Sequence, residues 1–348
     1  MPTQLIHRFV LSLLLCLSGC ARDDSLRTEV DAPTSDQIPV AVNRSHLPNA
    51  FRLHQKIISG GQPDGEAGYR QLRDLGVRTI ISVDGAQPDT ALATRYGLRY
   101  VHLPHGYDGI PERRARELAK AARDLPGPIY IHCHHGKHRS PAAAVVACVG
   151  AGLLDADLAA RVLQTAGTSE RYLGLYESAE TARRFNDALL NALEAEFPET
   201  VDVPPMAEAM VRIERIHDQL ELFAAHDWKP LAEHPDLDPA HEALQLREQF
   251  TELLRTDEVL AKPTEFVELL RESENAAEIL ESALQNATEA PTSNSAISES
   301  MTRISTNCTA CHSRFRDVPL SEKRVVSAFE SRLRASGTLV AIVSLEKC

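Results

Sequence analysis

The sequence lacks an excess of positive charge. It contains 37 lysine and arginine residues against 49 aspartate and glutamate residues, which gives a formal net charge of −12. This balance argues against nucleic acid as a general partner, because such binding needs clustered basic side chains. The acidity is uneven, since residues 199–290 hold 22 acidic and 7 basic side chains. That region forms either an ordinary solvated surface or one that steers a basic redox partner protein.

Long apolar runs are also scarce. The run at residues 9–17 follows His7 and Arg8 and is too short to span a bilayer as a helix. It ends in Leu17-Ser18-Gly19-Cys20, which resembles the bacterial lipobox. In that family the chain is cut before the cysteine, and the cysteine carries the lipid. The basic residues, the short apolar run and the lipobox together predict an export signal at residues 1–20. No later stretch is apolar enough to cross a membrane.

The resemblance implies a periplasmic lipoprotein anchored to the membrane through Cys20. Ala21 follows the cysteine, which in Gram-negative lipoproteins favours the outer membrane. The alternative is plain secretion, with Cys20 incidental. Residues 21–50 are rich in Asp, Ser and Pro, so we predict a flexible tether there.

The seven cysteines do not form the pattern of a disulfide framework. Two belong to the N-terminal signal, one to a catalytic-looking loop and two to a CxxC pair. Cys148 lies in the apolar run 142–149 and is most simply a small buried side chain. The terminal Cys348 has no assigned role.

Strand-like and helix-like segments alternate over residues 51–195. The strand-like segments are 79–83, 98–103 and 128–132, and the helical ones are 65–75, 111–125 and the stretch from 141 onward. This alternation predicts an α/β domain with a largely parallel sheet.

A loop in this domain has the composition of a phosphate site. Residues 132–140 read His-Cys-His-His-Gly-Lys-His-Arg-Ser, between a predicted strand and a predicted helix. Five residues between Cys133 and Arg139 can wrap backbone N–H groups around a phosphate at a helix N-terminus. The positive end of the helix stabilises a thiolate nucleophile, and Arg139 offers a planar, two-pronged grip on phosphate oxygens.

The loop resembles the HCx5R signature of protein-tyrosine and dual-specificity phosphatases. Together with Ser59-Gly60-Gly61-Gln62-Pro63, it is most similar to their atypical plant- and fungal-type branch, over about residues 51–150. The resemblance implies Cys133 as nucleophile, Arg139 as phosphate ligand and Ser140 as the hydroxyl that assists the leaving sulfur. It implies no metal in this domain. The residues predicted to contact the substrate are His134, His135, Gly136, Lys137 and His138.

The family also uses an aspartic acid as general acid, on a loop upstream of the nucleophile. Asp108 follows a predicted strand, 25 residues before Cys133, and is the candidate. Asp84 also follows a strand end and is the second candidate for the general acid. The simpler interpretation of Asp108 is an ordinary turn aspartate before glycine.

Other interpretations of this loop stay open. Rhodanese-type sulfurtransferases also present a cysteine at a helix N-terminus, although rarely with both the leading His and the trailing Arg-Ser. A phosphate-binding pseudoenzyme is possible too. Four histidines within seven residues suggest a metal site, but two of them must face the outside of the loop.

The composition changes after residue 195. A linker is predicted at 196–204, and four helical segments follow, at 205–226, 238–256, 264–287 and after a polar loop at 290–293. They predict an all-α four-helix bundle, with its apolar side chains at helical spacing. Residues 318–348 form a C-terminal extension.

The last helix carries the signature for covalent haem. Ile297, Met301, Ile304, Cys308, Cys311 and Phe315 form one apolar stripe, and His312 follows the second cysteine. CxxCH attaches haem c through two thioethers, and the histidine ligates the iron. We predict one covalent haem per chain. A redox CxxC pair and half of a zinc site are the alternatives, and the zinc site would want a second Cys/His pair, which the sequence lacks.

The helices with this motif resemble the cytochrome c′ family over about residues 205–317. The low-spin branch of that family takes its sixth iron ligand from a methionine on the first helix. The likeness places Met210 at that position and Met206 as the alternative, while both could equally be core methionines.

Two functions are consistent with these motifs. The first is a periplasmic phosphatase acting on a phosphorylated protein or small molecule, with a haem domain for electron transfer or sensing. The second is an electron-carrying or gas-binding cytochrome whose first domain only binds phosphate.

Overall fold

The computed structural model describes residues 38–229, 231–232, 234–286 and 293–323. The predicted signal and lipid-bearing Cys20, most of the predicted tether, and residues 324–348 lie outside the described residues. No helix within the described part has the length and apolar character needed to span a bilayer.

A six-stranded mixed sheet organises the first domain. The strands are β1 (Val40–Ala41), β2 (Phe51–His54), β3 (Ile57–Gly60), β4 (Thr79–Ser82), β5 (Arg99–His102) and β6 (Ile129–His132), in the order β1-β2-β3-β6-β4-β5. Strands β3, β6, β4 and β5 are parallel, whereas β1 and β2 add an antiparallel edge. The predicted largely parallel sheet is therefore mixed, because β2 and β3 form a short hairpin.

Helices cover both faces of the sheet. They are α1 (Gly65–Asp74), α2 (Thr90–Arg95), α3 (Glu112–Asp124), α4 (Arg139–Ala151), α5 (Ala159–Ala166), α6 (Leu173–Glu180) and α7 (Asp187–Ala192), with a 3₁₀ turn at Ala156–Leu158. Alternate residues of β4 face opposite cores, Ile80 towards α1 and Ile81 towards α4. Helix α4 is buried on nearly all sides, which explains its run of alanine and valine.

The prediction of a flexible tether at residues 21–50 is wrong for the last residues of that segment. Strand β1 pairs with β2, and Leu47 and Ala50 are buried in the core beside α1. The composition of residues 21–50 is polar on average, but Val42, Leu47 and Ala50 near its end pack in the core. The first domain therefore begins before residue 51.

The helical domain contains α8 (Pro205–Ala225), α9 (Pro239–Leu254), α10 (Asp257–Leu260), α11 (Thr264–Asn286) and α12 (Ser293–Cys311). A π-helical turn, His312–Arg316, continues α12. One apolar core joins the four long helices. Leu220 is fully buried in this core, and Phe223, one turn further along α8, is also fully buried, as their helical spacing predicts.

Both ends of the helical domain contact the α/β domain. The predicted linker lies along the edge strand β5, where the His102 N–H donates to the Pro198 carbonyl at 2.8 Å. At the other end, the Leu320 N–H donates to the Asp108 carbonyl at 2.9 Å. The linker is therefore packed rather than a free spacer.

Candidate functional site

The cysteine loop joins the end of β6 to the start of α4. Gly136 has φ +73°, and a Cβ there would lie 2.3 Å from the backbone nitrogen of Gly61. The Gln62 N–H donates to the His134 carbonyl at 2.9 Å. Glycine is thus required at position 136 by its backbone angle and by the close approach of residues 60–61.

Cys133 is buried, with 3% of its surface exposed. Its Sγ lies 3.3 Å from the Oγ of Ser140, and that hydroxyl donates to the Gly60 carbonyl at 2.9 Å. The single hydroxyl proton therefore has two acceptors within reach. It can turn from the carbonyl to the sulfur when the sulfur carries negative charge.

Arg139 is held at the N-terminus of α4. Its Nη2 donates to Asp84 Oδ2 at 3.0 Å, and its guanidinium carbon lies 4.5 Å from the ring centroid of Tyr107. Its Nε is buried and has no hydrogen-bond partner among the described residues. This donor is available to an anion bound in the loop.

Asp84 positions both the arginine and the loop. Its carboxylate accepts from Arg139, from the His134 N–H at 2.7 Å and from the Ala86 N–H at 3.1 Å. Burial opposes ionisation, but Arg139 and the two backbone N–H groups lower the pKa of Asp84 to about 2. The carboxylate is therefore ionised at neutral pH and has no proton to give, which argues against Asp84 as the general acid.

Asp84→Asn is expected to destabilise the fold by about 3–5 kcal/mol, because it leaves a buried guanidinium without its counter-charge. The pKa of Asp84 is lowered from its ordinary 3.8 to about 2. Its contribution is thus fully present above about pH 4 and is lost as pH falls towards 2. Urea unfolding of both proteins from pH 2 to pH 7 measures this. A difference in the free energy of unfolding between wild type and variant that stays constant from pH 2 to pH 7 would contradict the ion-pair assignment.

Asp108 lies on the loop between β5 and α3, half-buried. Its Oδ2 accepts from Lys323 Nζ at 2.8 Å, and both residues line the same cavity as Arg139. The structure thus places Asp108 in the same cavity as Arg139. One of its carboxylate oxygens is bound by Lys323, which follows the haem motif in the sequence.

The predicted substrate contacts divide into two groups. His134 and His135 turn towards α8, where His134 Nε2 lies 3.1 Å from Asp218 Oδ2 and His135 Nε2 lies 3.8 Å from Glu214 Oε1. Lys137 is exposed. His138 packs 4.7 Å from the ring of Tyr172, and burial lowers the pKa of His138 to about 4.

Two residues that hold the loop were not anticipated. The Asn49 side chain donates to the carbonyls of Gly136 at 3.0 Å and Ala166 at 2.9 Å. The Thr168 hydroxyl donates to the Lys137 carbonyl at 2.6 Å. Asn49 lies in the segment predicted as a tether, and no local pattern marked either residue.

Part of the haem motif lines a cavity of about 750 Å³. Cys311 and His312 line it with four apolar side chains, Met206, Met210, Phe266 and Phe315, whereas Cys308 packs against the core of the helical domain. Burial, with Arg316 and Arg171 adding to it, lowers the pKa of His312 to about 3. The imidazole is thus neutral, the form that ligates iron. Cavities of about 300–1,000 Å³ are typical of cofactor sites, so these residues fit a haem.

Residues of the predicted phosphate site also line this cavity. Arg139 and Asp108 do so, together with Tyr107 and His105. The Arg316 guanidinium, which follows the haem motif, lies 4.1 Å from the centroid of Tyr107. Tyr107 therefore lies between Arg316 and Arg139, and the two predicted sites share one cavity.

Comparisons with known proteins give limited similarity. The chain matches no family model and no curated protein. It resembles the crystal structure of P. aeruginosa TpbA, with 22% identity and a TM-score of 0.35, over 41% of this chain and 88% of that one. A putative phosphatase from Shewanella putrefaciens CN-32 has 18% identity and a TM-score of 0.33, over 40% and 95%.

A third similar structure is the core catalytic domain of the PP-IP phosphatase SIW14 from S. cerevisiae, in complex with citrate. It has 16% identity and a TM-score of 0.35, over 42% of this chain and 90% of that one. Each similarity covers less than half of this chain, so function is inferred from the site itself.

Proposed function

We propose that this protein hydrolyses phosphate monoesters through a phosphocysteine intermediate and carries a c-type haem beside that site. The arrangement of Cys133, Ser140 and Arg139 at the N-terminus of α4 carries the first part of the proposal. The Cys133 sulfur lies beside a hydroxyl, and the buried Arg139 keeps one donor unpartnered. The proposed substrate is a phosphate monoester, carried either by a phosphoprotein or by a phosphorylated small molecule.

In the first step, the Cys133 thiolate attacks phosphorus, and the bond to the leaving oxygen breaks. Arg139 binds the equatorial oxygens, and Asp108 gives a proton to the leaving oxygen. In the second step, the Asp108 carboxylate takes a proton from water, the water oxygen attacks the phosphocysteine, and the sulfur leaves as a thiolate. Meanwhile the Ser140 hydroxyl turns from the Gly60 carbonyl to the sulfur. Asp108 has to leave Lys323 for its Oδ2 to reach the substrate.

Asp108→Asn is expected to slow hydrolysis of aryl phosphates with poor leaving groups by about 10²–10⁴-fold, and much less for good leaving groups. The reason is that only a poor leaving group needs the proton in the transition state. Steady-state turnover across a series of substituted phenyl phosphates measures the difference. Equal losses along the series would remove Asp108 from the acid role.

The residues that would hold the haem are Cys308 and Cys311 through thioethers and His312 as proximal ligand. Bound there, the haem supplies one-electron chemistry or an open iron coordination site. Met206 and Met210 both line the cavity on the side of α8, so either sulfur is a candidate for the sixth ligand, with Met210 favoured by the cytochrome c′ likeness. We further propose that the protein is an exported lipoprotein, since covalent haem is attached outside the cytoplasm.

Met210→Leu is expected to change a six-coordinate, low-spin spectrum to a high-spin one and to lower the reduction potential, because Met/His ligation raises it. Leucine has a similar volume, so the helix core should tolerate it. Visible spectra and a redox titration measure this, with Met206→Leu as the matched control. A wild-type spectrum that is already high-spin would contradict the assignment and favour gas binding.

The direct test uses the purified full-length protein. We expect turnover of an aryl phosphate together with a haem spectrum that survives denaturation. Phosphate binding without turnover would instead support the alternative function, a cytochrome whose first domain only binds phosphorylated ligands.

A further inference from the structure

The outer side of the cysteine loop faces α8 through imidazoles and carboxylates. His134 Nε2 lies 3.1 Å from Asp218 Oδ2, and His135 Nε2 lies 3.8 Å from Glu214 Oε1. The two histidine rings are 4.3 Å apart between centroids. The ligating atoms of His134, His135 and Asp218 all lie within 4.8 Å of one another. Three potential metal ligands therefore meet between two parts of the chain that are far apart in sequence, with Glu214 beside His135 as a further candidate.

The charge at this cluster is unbalanced. Asp218 and Glu214 stand one helical turn apart on α8, and among the described residues no lysine or arginine lies within 4 Å of either carboxylate. Among the described residues, each of the two carboxylates faces an imidazole of the loop, and an imidazole carries no charge when unprotonated. A divalent cation would neutralise the two carboxylates.

The donor set also matches the preferences of a borderline metal ion. Two imidazole nitrogens with one or two carboxylate oxygens suit Zn²⁺ and similar divalent ions. Zinc binds these atoms at about 2.0–2.2 Å, so two ligands of one ion lie no more than about 4.4 Å apart. The ligating atoms of His134, His135 and Asp218 all lie within 4.8 Å of one another, so small side-chain rotations would bring them to these distances. The four side chains are between 31% and 48% exposed, which leaves them room to close on an ion.

We propose that the cysteine loop and α8 together form a binding site for a divalent transition-metal ion such as Zn²⁺, with His134, His135 and Asp218 as ligands and Glu214 as the fourth. Such an ion would link the phosphate loop directly to the helix that lines the haem cavity. The site depends neither on haem nor on phosphate turnover.

A rival set of ligands shares Asp218. His217, Asp218 and Glu221 also bring their ligating atoms within 4.8 Å of one another, along α8 alone. His217 Nε2 already lies 3.0 Å from the hydroxyl of Ser305 on α12. The two sets differ in their histidines, so substitutions can tell them apart.

The test is a Zn²⁺ titration of the full-length protein in a Cys133→Ser background, which removes the reactive thiolate as a ligand. Zinc affinity is read by competition with a chromophoric chelator. His135→Ala should weaken the tight site by at least the roughly 10–100-fold that loss of an outer-shell partner costs. His226→Ala, at an exposed residue near the C-terminal end of α8, is the matched control and should change nothing.

Three outcomes would overturn the proposal. One is the absence of any stoichiometric Zn²⁺ site, and another is equal affinity in His135→Ala and its parent. The third is a loss in His217→Ala without a loss in His135→Ala, which would place the ion on α8 away from the loop. The circular dichroism spectrum of each variant checks folding, and His135 is an exposed residue whose truncation should preserve it.

Discussion

Cys133→Ser is expected to lower phosphate-monoester turnover on the order of 10⁶-fold, the loss typical of a hydrolase deprived of its nucleophile. A serine hydroxyl in this position lacks the low-energy anionic form that the helix N-terminus stabilises for a thiolate. Binding should survive, because Arg139 and the loop backbone remain. Turnover of an aryl phosphate and the affinity for inorganic phosphate measure the two effects separately.

The matched control for this variant is Cys148→Ala. Cys148 is fully buried in α4, and burial raises the pKa of its thiol well above the ordinary value, so it has no role as a nucleophile. Its replacement should leave turnover within a few-fold of wild type. Full activity in Cys133→Ser would refute the phosphocysteine mechanism.

A double variant, Cys308→Ala with Cys311→Ala, is expected to lose all covalently attached haem. The reason is that both thioethers need these sulfurs, and the cavity beside His312 offers no other thiol among the described residues. Haem staining of the denatured protein and its pyridine spectrum measure the result.

The same measurement on Cys133→Ser provides the control, since that variant alters only the loop sulfur and should retain its haem. Covalent haem persisting in the double variant would show attachment elsewhere. A wild-type protein without haem would leave the CxxC pair as a redox or zinc motif.

The parts of the site that sequence could predict are those encoded locally. Cys133, Arg139 and Ser140 lie within eight consecutive residues, from the loop after β6 to the first turn of α4, so their spacing alone indicates that they meet. The haem motif is equally local, with Cys308, Cys311 and His312 on one helical stripe. Buried strands such as β4 stand out because their apolar residues are contiguous.

The parts that it could not predict depend on contacts between distant residues. Asp84 pairs with Arg139 across 55 positions, and Lys323 reaches Asp108 across 215. Asn49 supports Gly136 from a segment whose average composition is that of a tether. Each of these contacts follows from how the helices and strands pack, and a local pattern of residues carries no information about that packing.

The direction of the two histidines is the clearest example. From their position in the predicted phosphate loop, the sequence predicts that His134 and His135 contact the substrate. The structure places α8 against the outer side of the loop, where its two carboxylates face the imidazoles, and neither histidine lines the cavity that holds Arg139. The position of α8 is a tertiary property, so the spacing of residues in the loop could not reveal it.

The helical domain is held at both of its ends. The chain leaves the α/β domain along β5 through residues 196–204 and returns to it at Leu320 and Lys323. The helical domain is therefore attached to the α/β domain at both ends rather than through a single linker, and its two ends are fixed relative to each other. The local concentration of the haem motif at the phosphate loop is therefore set by the fold and does not change with dilution. An external partner would meet both sites in one fixed orientation.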